Sequence, residues 1–367
     1  MIYHIYWGTS GNSGLYLHEI YQTLKAHGFK QRAFVNYYYP FDYGDKLFFK
    51  RGDIAYGVTQ GKLRKVVQLF EVLKAYMVIL CCSIKDRPQL INYSHVGQSY
   101  FFILIYLRIL KAISGAKLIV TCHDVAPHSG GTSEIKFRRK IFHVADYLLV
   151  HTNDSARELV EMFGIDKRRI VNHLFPIMDL SILSGSECNN PFNQTDFLFI
   201  GHLRKDKGIE LLLDAWYDFH KICPEAKLRV CGRKQFNVSF NQRELEKCNV
   251  EFNLHFISDE DYFNHVSSAR YVVLPYIWGT NSGIISTVLS LGTNVITSDI
   301  PMFSENLLVG KDDKFKAGNK EALINILQMK YLKRDNTTMN KLSLYKSEFN
   351  KSVIAVYKEL QTKHTNF

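Results

Sequence analysis

Short apolar runs alternate with segments that carry apolar residues every three or four positions through most of the 367-residue chain. Several of the runs are continuously apolar, which is typical of parallel strands covered on both faces. The helical spacing of the segments between them predicts amphipathic helices, so we expect strand–helix–strand units with right-handed crossovers. The predicted strands are Ile2–Tyr6, Ala33–Asn36, Leu90–Tyr93, Lys117–Thr121, Tyr147–His151, Asp196–Ile200, Lys227–Cys231, Glu251–Ile257, Tyr271–Leu274 and Asn294–Thr297.

The alternation is interrupted once, in a polar stretch rich in Ser, Asn, Gly and Pro that is predicted to link two α/β domains. We assign residues 1–176 to the first domain, 177–195 to the linker and 196–340 to the second domain. Residues 341–367 form a Lys-rich helical pattern without strands. Within the first domain, Asn153 is the expected N-cap of a helix that ends at Gly164.

Composition narrows the class of protein. Hydrophobic residues make up 46 % of the chain and charged residues 22 %, as in a globular protein with a sizeable core. The net charge of +11 favours anionic partners, namely phosphorylated ligands, nucleic acid or an anionic membrane surface. The seven Cys include no CxxC pair, so a reduced cytosol is the expected compartment. The apolar stretches Val66–Ile84 and Tyr100–Ile113 are each broken by charges, and the chain is expected to be soluble or peripheral.

Two loops of the second domain carry residues suited to phosphate. Gly201 ends a predicted strand and is followed by Arg204, Lys207 and then Gly208, where a helix starts. Helix N-termini at the carboxyl ends of parallel strands present unpaired N–H groups, and two cations stand in this loop. The same residues also fit an ordinary solvated loop with surface cations.

The second loop follows strand Tyr271–Leu274 and leads through small residues to a helix that opens at about Ser282 and Gly283. Ser282 could cap the helix or bind an anion. Two amide-rich helix starts in one domain, one of them with Arg and Lys, predict a clamp for a nucleotide diphosphate.

Over nearly its whole length the sequence resembles the family 4 glycosyltransferases of the GT-B fold. GHLRKDKG is similar to the family's phosphate-binding loop, and LPYIWGTNSG…SLGTNVITSD to its other donor loop. The resemblance implies two Rossmann-like domains that face each other across a cleft, with a C-terminal helix that crosses back to the first domain. It implies that Arg204 and Lys207 grip the donor diphosphate. The implied donor-binding residues of this domain are Gly201, Gly232, Asn281, Ser282, Gly283, Ile284 and Glu305.

The first domain supports the resemblance with two segments. The Gly-rich loop Gly8–Gly14, with Gly11 as the donor-side residue, matches a flexible loop of the family near the donor phosphate. TCHDVAPH is similar to the family's His-Asp segment, which implies that His123 touches the transferred sugar and that Asp124 fixes the loop. His173 ends a further strand and is expected on the acceptor side.

The sequence departs from the family pattern in the second donor loop. Many members carry two Glu eight residues apart, whereas Gly279 and Thr287 stand at the nearest positions here. Thr-Asn-Ser-Gly resembles a subset with a different loop, and a retaining reaction is the expectation for the family. The triplet Asp259-Glu260-Asp261 could bind a metal, but its place before a helical pattern favours first-turn acids. We expect no metal and no cofactor.

The sequence therefore predicts a metal-independent, hexosyltransferase-type enzyme that moves a sugar from a UDP- or GDP-sugar to a saccharide or lipid-linked saccharide in bacterial surface-polysaccharide synthesis. It would be cytoplasmic, or peripheral on the inner face of the plasma membrane, where the basic clusters Lys46–Arg64 and Arg138–Lys140 could meet anionic headgroups. The alternatives are a nucleotide-sugar epimerase of the same architecture and a basic RNA- or lipid-binding module. A dinucleotide-dependent dehydrogenase is disfavoured because neither half has a GxGxxG turn.

Overall fold

A computed structural model describes residues 1–8, 12–48, 62–94, 101–125, 132–177, 195–235, 238–279, 283–333 and 339–365. The chain divides into two compact units. Unit 1 comprises Met1–Pro176 together with Glu348–Phe367, and unit 2 comprises Ile177–Ser347. Each unit is an α/β layer structure built on a parallel sheet.

The sheet of unit 1 has strand order β3-β2-β1-β4-β5-β6-β7, and all of its pairings are parallel. Its central strands are buried along their full length, as expected of parallel strands that are covered on both faces. The strands are β1 (Ile2–Tyr6), β2 (Gln31–Asn36), β3 (Asp45–Phe48), β4 (Leu90–Ser94), β5 (Lys117–Thr121), β6 (Tyr147–Val150) and β7 (Ile170–Asn172).

Helices cover both faces of this sheet. Four of them share one apolar core with alternate residues of β1 such as Tyr3 and Ile5, so they lie on the same face. They are α2 (Lys62–Asp86), α3 (Phe101–Ser114), α4 (Thr132–Val144) and α5 (Asn153–Phe163). The helix α1 (Asn12–Ala26) follows β1.

The C-terminal helix, α12 (Met339–Thr365), packs its second half on the other face of the sheet of unit 1. The Tyr357 hydroxyl lies 3.0 Å from the Asn92 amide nitrogen on β4, and Thr23 on α1 donates to Asn350 at 2.9 Å. The expectation that this helix crosses back to the first domain is therefore confirmed.

Unit 2 has a second parallel sheet, with strand order β10-β9-β8-β11-β12-β13. Trp216 is fully buried at the centre of its core and donates its indole N–H to the Cys248 carbonyl at 2.8 Å. The strands are β8 (Thr195–Ile200), β9 (Leu228–Cys231), β10 (Val250–Asn253), β11 (Ala269–Leu274), β12 (Asn294–Ser298) and β13 (Lys314–Phe315). The helices are α6 (Ile209–Ile222), α7 (Gln242–Glu246), α8 (Asp259–Ser267), α9 (Ile284–Ser290), α10 (Pro301–Ser304) and α11 (Lys320–Lys333).

Some local predictions need correction. The strand predicted to continue to Ile257 ends at Asn253. The N-cap of α5 is Thr152, whose hydroxyl accepts from the Ser155 amide, one residue before the predicted cap. Its C-terminus at Gly164, with φ 69°, is as predicted. Most of the predicted linker lies outside the described residues.

One helix bears on the expectation about membranes. The segment Val66–Asp86 of α2 is long and apolar enough to cross a membrane by length and composition, and 28 % of its most apolar stretch is buried in the protein. By this criterion, the charges that interrupt the apolar stretch do not exclude α2 as a membrane-spanning helix. The same test is passed by core helices of soluble proteins.

Candidate active site

Three strand ends of unit 2 meet at glycines that bring backbone segments into contact. Gly201 and Gly232 follow the neighbouring strands β8 and β9, with φ of 129° and 133°. A Cβ on Gly232 would lie 1.9 Å from the Gly201 carbonyl oxygen, so no other residue fits there without moving the backbone. A Cβ on Gly208, where α6 starts, would lie 1.8 Å from the Pro275 carbonyl oxygen after β11. Both contacts require glycine.

The loop between Gly201 and Gly208 is tied to the loop after β11 by its backbone. The carbonyl of Asp206 accepts from the amide of Ile277 at 2.8 Å and from that of Trp278 at 3.4 Å. Residues Lys205–Lys207 form one turn of 3₁₀ helix before α6. The two loops predicted to hold a nucleotide diphosphate are thus joined to each other within unit 2.

Arg204 is paired, which the sequence analysis did not anticipate. Its guanidinium forms an ion pair with Asp206 inside the same turn, at 2.5 Å between Nη2 and Oδ2. Its Nε is buried without a hydrogen-bond partner among the described residues. The charge of Arg204 is therefore partly balanced, and its buried Nε–H group is left without an acceptor in the described part of the chain.

Lys207 lies beside Arg204 but has no ion pair within the described part of the chain. Its Nζ is 5.3 Å from the centre of the Tyr276 ring and would be 3.2 Å from a Cβ on Gly201. Burial, with a further contribution from the charge of Arg204, lowers the pKa of Lys207 to about 8. A partly buried ammonium next to a guanidinium is an arrangement that a bound anion would stabilise.

The remaining predicted donor residues of unit 2 lie on the second loop and after β12. Gly283 is the N-cap of α9, and Ile284, the first residue of that helix, is buried. Glu305 is the C-cap residue directly after α10 and is partly exposed. Asn281 and Ser282 fall outside the described residues.

The two positions where many family members have Glu differ in their surroundings. A Cβ on Gly279 would lie 3.2 Å from the Met302 methyl carbon, so a longer side chain there would displace Met302. Thr287 is buried on α9. The triplet that begins at Asp259 forms the first turn of α8, capped by Ser258, which confirms the prediction of first-turn acids.

In unit 1, three histidines surround Tyr16 at the carboxyl ends of successive strands. The Tyr16 ring centre lies 4.7 Å from that of His123, 5.0 Å from His151 and 5.8 Å from His173. The three histidines follow β5, β6 and β7. His123 and His173 were predicted as site residues from the sequence, whereas Tyr16 and His151 were not. The signal that could have found His151 is its place directly after β6.

Burial keeps these imidazoles neutral at pH 7. It lowers the pKa of His123 and of His173 to about 4. The pKa of His151 is also held well below its usual value. The Tyr16 hydroxyl lies 2.8 Å from His173 Nε2, and His173 Nδ1 lies 2.7 Å from the Leu174 carbonyl oxygen. This arrangement makes Nδ1 the protonated nitrogen, so that Nε2 accepts from Tyr16. His173 is 2 % exposed and lies behind Tyr16.

The segment that contains Asp124 is held by Arg138. The Arg138 guanidinium donates to the carbonyls of Asp124 and Val125 and forms an ion pair with Glu134 at 2.8 Å. Arg138 is 5 % exposed and therefore does not belong to the basic surface cluster predicted for residues 138–140. Gly11 lies outside the described residues.

Comparisons with known proteins identify the class of this protein. The model of the family "Glycosyltransferase Family 4" matches residues 14–171, and that of "Glycosyl transferases group 1" matches residues 194–329. The chain belongs to the group 1, family 4-like glycosyltransferases, and its two parallel-sheet units are those of a GT-B fold. No curated protein sequence matches the chain significantly.

Solved structures share the fold at low sequence identity. The catalytic domain of starch synthase IV from Arabidopsis thaliana, bound to ADP and acarbose, is 12 % identical with a TM-score of 0.63, covering 100 % of this chain and 99 % of that chain. Sucrose-phosphate synthase from Thermosynechococcus elongatus is 15 % identical with a TM-score of 0.58, covering 100 % and 98 %. UDP-GlcNAc 2-epimerase from Methanocaldococcus jannaschii is 13 % identical with a TM-score of 0.58, covering 97 % and 100 %.

Proposed function

We propose that this glycosyltransferase moves a hexose-type sugar from a UDP- or GDP-sugar, held by unit 2, to a saccharide or lipid-linked saccharide acceptor, bound by unit 1. The observation that carries the proposal is the partly buried ammonium of Lys207 beside the Arg204 guanidinium, where the strand ends of unit 2 meet. The cations lie in the loop that resembles the family's phosphate-binding loop.

The chemistry of transfer explains why such cations are useful. The acceptor oxygen forms a bond to the anomeric carbon while the bond from that carbon to the diphosphate oxygen breaks, and the electron pair leaves with the nucleoside diphosphate. Negative charge therefore develops on the leaving phosphates. Fixed cations in a buried site stabilise that charge without having to reorganise. Arg204 and Lys207 take this role.

On the acceptor side, we assign contact with the transferred sugar to His123. Its low pKa makes it a neutral hydrogen-bonding group at pH 7. The acceptor proton passes to a phosphate oxygen of the donor, so that no separate base is required. Tyr16 and His173 act as positioning residues behind His123.

We further propose that the two cations serve in place of a divalent metal, and that the reaction is retaining. The net charge of +11 and the cysteines without a CxxC pair support a role in bacterial surface-polysaccharide synthesis in the cytoplasm. Undiminished transfer in the presence of EDTA is the result expected for a metal-independent enzyme. Loss of transfer that is restored by added Mg²⁺ would contradict it.

The central test is donor binding. A thermal-shift panel of UDP-, GDP-, ADP- and CMP-sugars should identify one nucleotide that stabilises the wild type, and calorimetry with that nucleotide gives its Kd. We expect Lys207→Ala to lose about ten- to a hundredfold in transfer, since charge-assisted hydrogen bonds contribute about 1.5–3 kcal/mol each. Lys205→Ala, which removes an exposed lysine from the same turn, is the matched control.

Two outcomes would change the proposal. Isomerised nucleotide sugar formed without acceptor would favour the epimerase alternative. Salt-sensitive association with RNA, together with no stabilisation by any sugar nucleotide, would favour a binding module.

A further inference from the structure

Helix α2 has an apolar surface on the side that faces away from the sheet. Its inner side, which includes Val72, Tyr76 and Ile79, is buried in the core of unit 1. The outward residues follow one another at spacings of three, four or seven positions, and so share one helix face. They are Val66, Phe70, Leu73, Met77 and Ile84, and Phe70 is 68 % exposed and Met77 59 %.

The neighbouring helix continues this apolar surface. Exposed Ile105, Ile109 and Ile113 succeed one another at intervals of one turn on α3. The rings of Tyr76 and Tyr106 stack with centres 3.7 Å apart, so the two helices pack side by side. Both lie on the same face of the sheet, and their outward sides together form one exposed apolar patch.

The next helix in the layer carries positive charge. Exposed Lys136, Arg139, Lys140 and His143 share the outward face of α4, which packs against α3. A depression of about 260 Å³ between these helices is lined by Arg108, Arg139, Lys140, His143 and Val144. Within the part of the chain that the structure describes, neither Arg108 nor Lys140 forms an ion pair. Among the described side chains that are exposed on α2, α3 and α4, six are Lys or Arg and none is Asp or Glu.

We propose that the outward surface of α2, α3 and α4 docks on the surface of an anionic lipid bilayer. Exposed aliphatic and aromatic side chains beside a basic row are the features of a surface that lies in the membrane interface. The apolar rows would enter the boundary between headgroups and acyl chains. The basic depression would hold anionic headgroups, which attract Lys and Arg near the membrane surface.

The charges and the apolar rows together favour this occupant. A second copy of the chain seated on the same surface would bring like charges near one another, which opposes pairing. A nucleic acid would use the basic row but would leave the isoleucine and leucine side chains exposed to water. The buried inner side of α2 is part of the core of unit 1, so the helix lies in the plane of the interface rather than across the membrane.

The proposal is tested by sedimentation of the full chain with lipid vesicles. Vesicles of phosphatidylcholine containing about one-third phosphatidylglycerol should bind the wild type at least tenfold more tightly than phosphatidylcholine alone, because each basic residue at the surface contributes about fivefold. Binding should weaken as salt is raised. Equal binding to both vesicles, or binding to neither, would overturn the proposal.

Matched variants separate the two parts of the surface. Arg108→Glu with Lys140→Glu should lose at least tenfold in binding to the anionic vesicles, whereas Lys227→Glu with Lys316→Glu, exposed on unit 2, should lose no more than threefold. Phe70→Ser with Met77→Ser should likewise reduce binding, and Phe256→Ser with Leu332→Ser, which are similarly exposed on unit 2, is its control. Equal losses in surface and control variants would overturn the proposal.

Two further measurements distinguish the other occupants. Light scattering should give the same mass for the wild type and for Phe70→Ser with Met77→Ser. A dimer that this change dissociates would make the surface an interface between copies and overturn the proposal. Release of membrane-bound protein by alkaline carbonate is expected for a surface contact, whereas resistance would indicate a spanning α2 and also overturn it. None of these measurements depends on the sugar donor.

Discussion

Lys207 gives the proposed donor site a specific dependence on pH. Burial and the adjacent Arg204 lower the pKa of its ammonium from 10.5 to about 8 in the free protein. A diphosphate bound next to Nζ favours the charged form and raises this pKa again. Donor binding is therefore linked to proton uptake by Lys207 wherever the free protein has begun to lose that proton.

The size of the effect follows from the two pKa values. If the bound donor restores the pKa of Lys207 to its ordinary value, the affinity is nearly constant below pH 8 and falls about tenfold for each pH unit above it. Between pH 7 and pH 9 the Kd of the nucleotide should rise about tenfold. Above about pH 10.5 the loss should level off, because Lys207 is then deprotonated in the complex as well.

Calorimetry from pH 6.5 to 9.5 measures this directly, with the nucleotide that the thermal-shift panel selects. Lys207→Arg is the decisive comparison, because an Arg guanidinium stays protonated over this range. Titration of the nucleotide base would change the Kd of the Lys207→Arg variant and that of the wild type equally. The reasoning is refuted if the Kd of the wild type is independent of pH, or if the Arg variant shows the same slope.

Further predictions concern stability. Lys207→Met should weaken donor binding, but without ligand it should raise the unfolding free energy of unit 2 by about 1–2 kcal/mol at pH 7, because the penalty for burying the ammonium disappears. This gain in stability, measured by thermal unfolding, should shrink as the pH rises from about 8 to 10.5. Gly232→Ala should destabilise unit 2 by about 3 kcal/mol or more, and Gly292→Ala, with positive φ but open space around it, by about 1–2 kcal/mol. Tyr16→Phe should cost unit 1 about 1–3 kcal/mol in urea unfolding and leave donor affinity unchanged. The buried neutral histidines should make unit 1 less stable as pH falls from 6.5 towards 4, since their unfolded forms take up protons that the folded forms do not; a urea midpoint independent of pH would contradict this.

The parts of the fold that sequence could predict are those whose signal is local. Strands β1 and β5 are mostly apolar, and both have the predicted bounds. The C-terminal helix and the end of α5 at Gly164 follow from periodicity and from the preference of glycine for positive φ. The short edge strands β3 and β13 were missed, because they are half-exposed and mix polar with apolar residues.

The candidate site shows what a linear pattern cannot contain. The sequence indicated that Arg204 and Lys207 share a loop, but the pairing of Arg204 with Asp206 depends on the turn geometry between them. The inward orientation of Arg138 likewise depends on carbonyls that another loop presents. Tyr16 comes from α1, far in sequence from the histidines it contacts, so only the assembled sheet brings them together.

The two units hold opposite kinds of chemistry, and this difference is consistent with the roles proposed for them. In unit 2 the partly buried ammonium of Lys207 lies beside a guanidinium at a cost in stability, and a bound anion would offset that cost. In unit 1 the imidazoles around Tyr16 are neutral at pH 7, so they offer hydrogen bonds and ring surface rather than charge. A sugar hydroxyl is uncharged and suits the second environment, whereas a diphosphate suits the first. The electrostatic contribution to transfer should therefore come from unit 2, and the pH profile of donor binding should show the titration of Lys207 rather than that of a histidine.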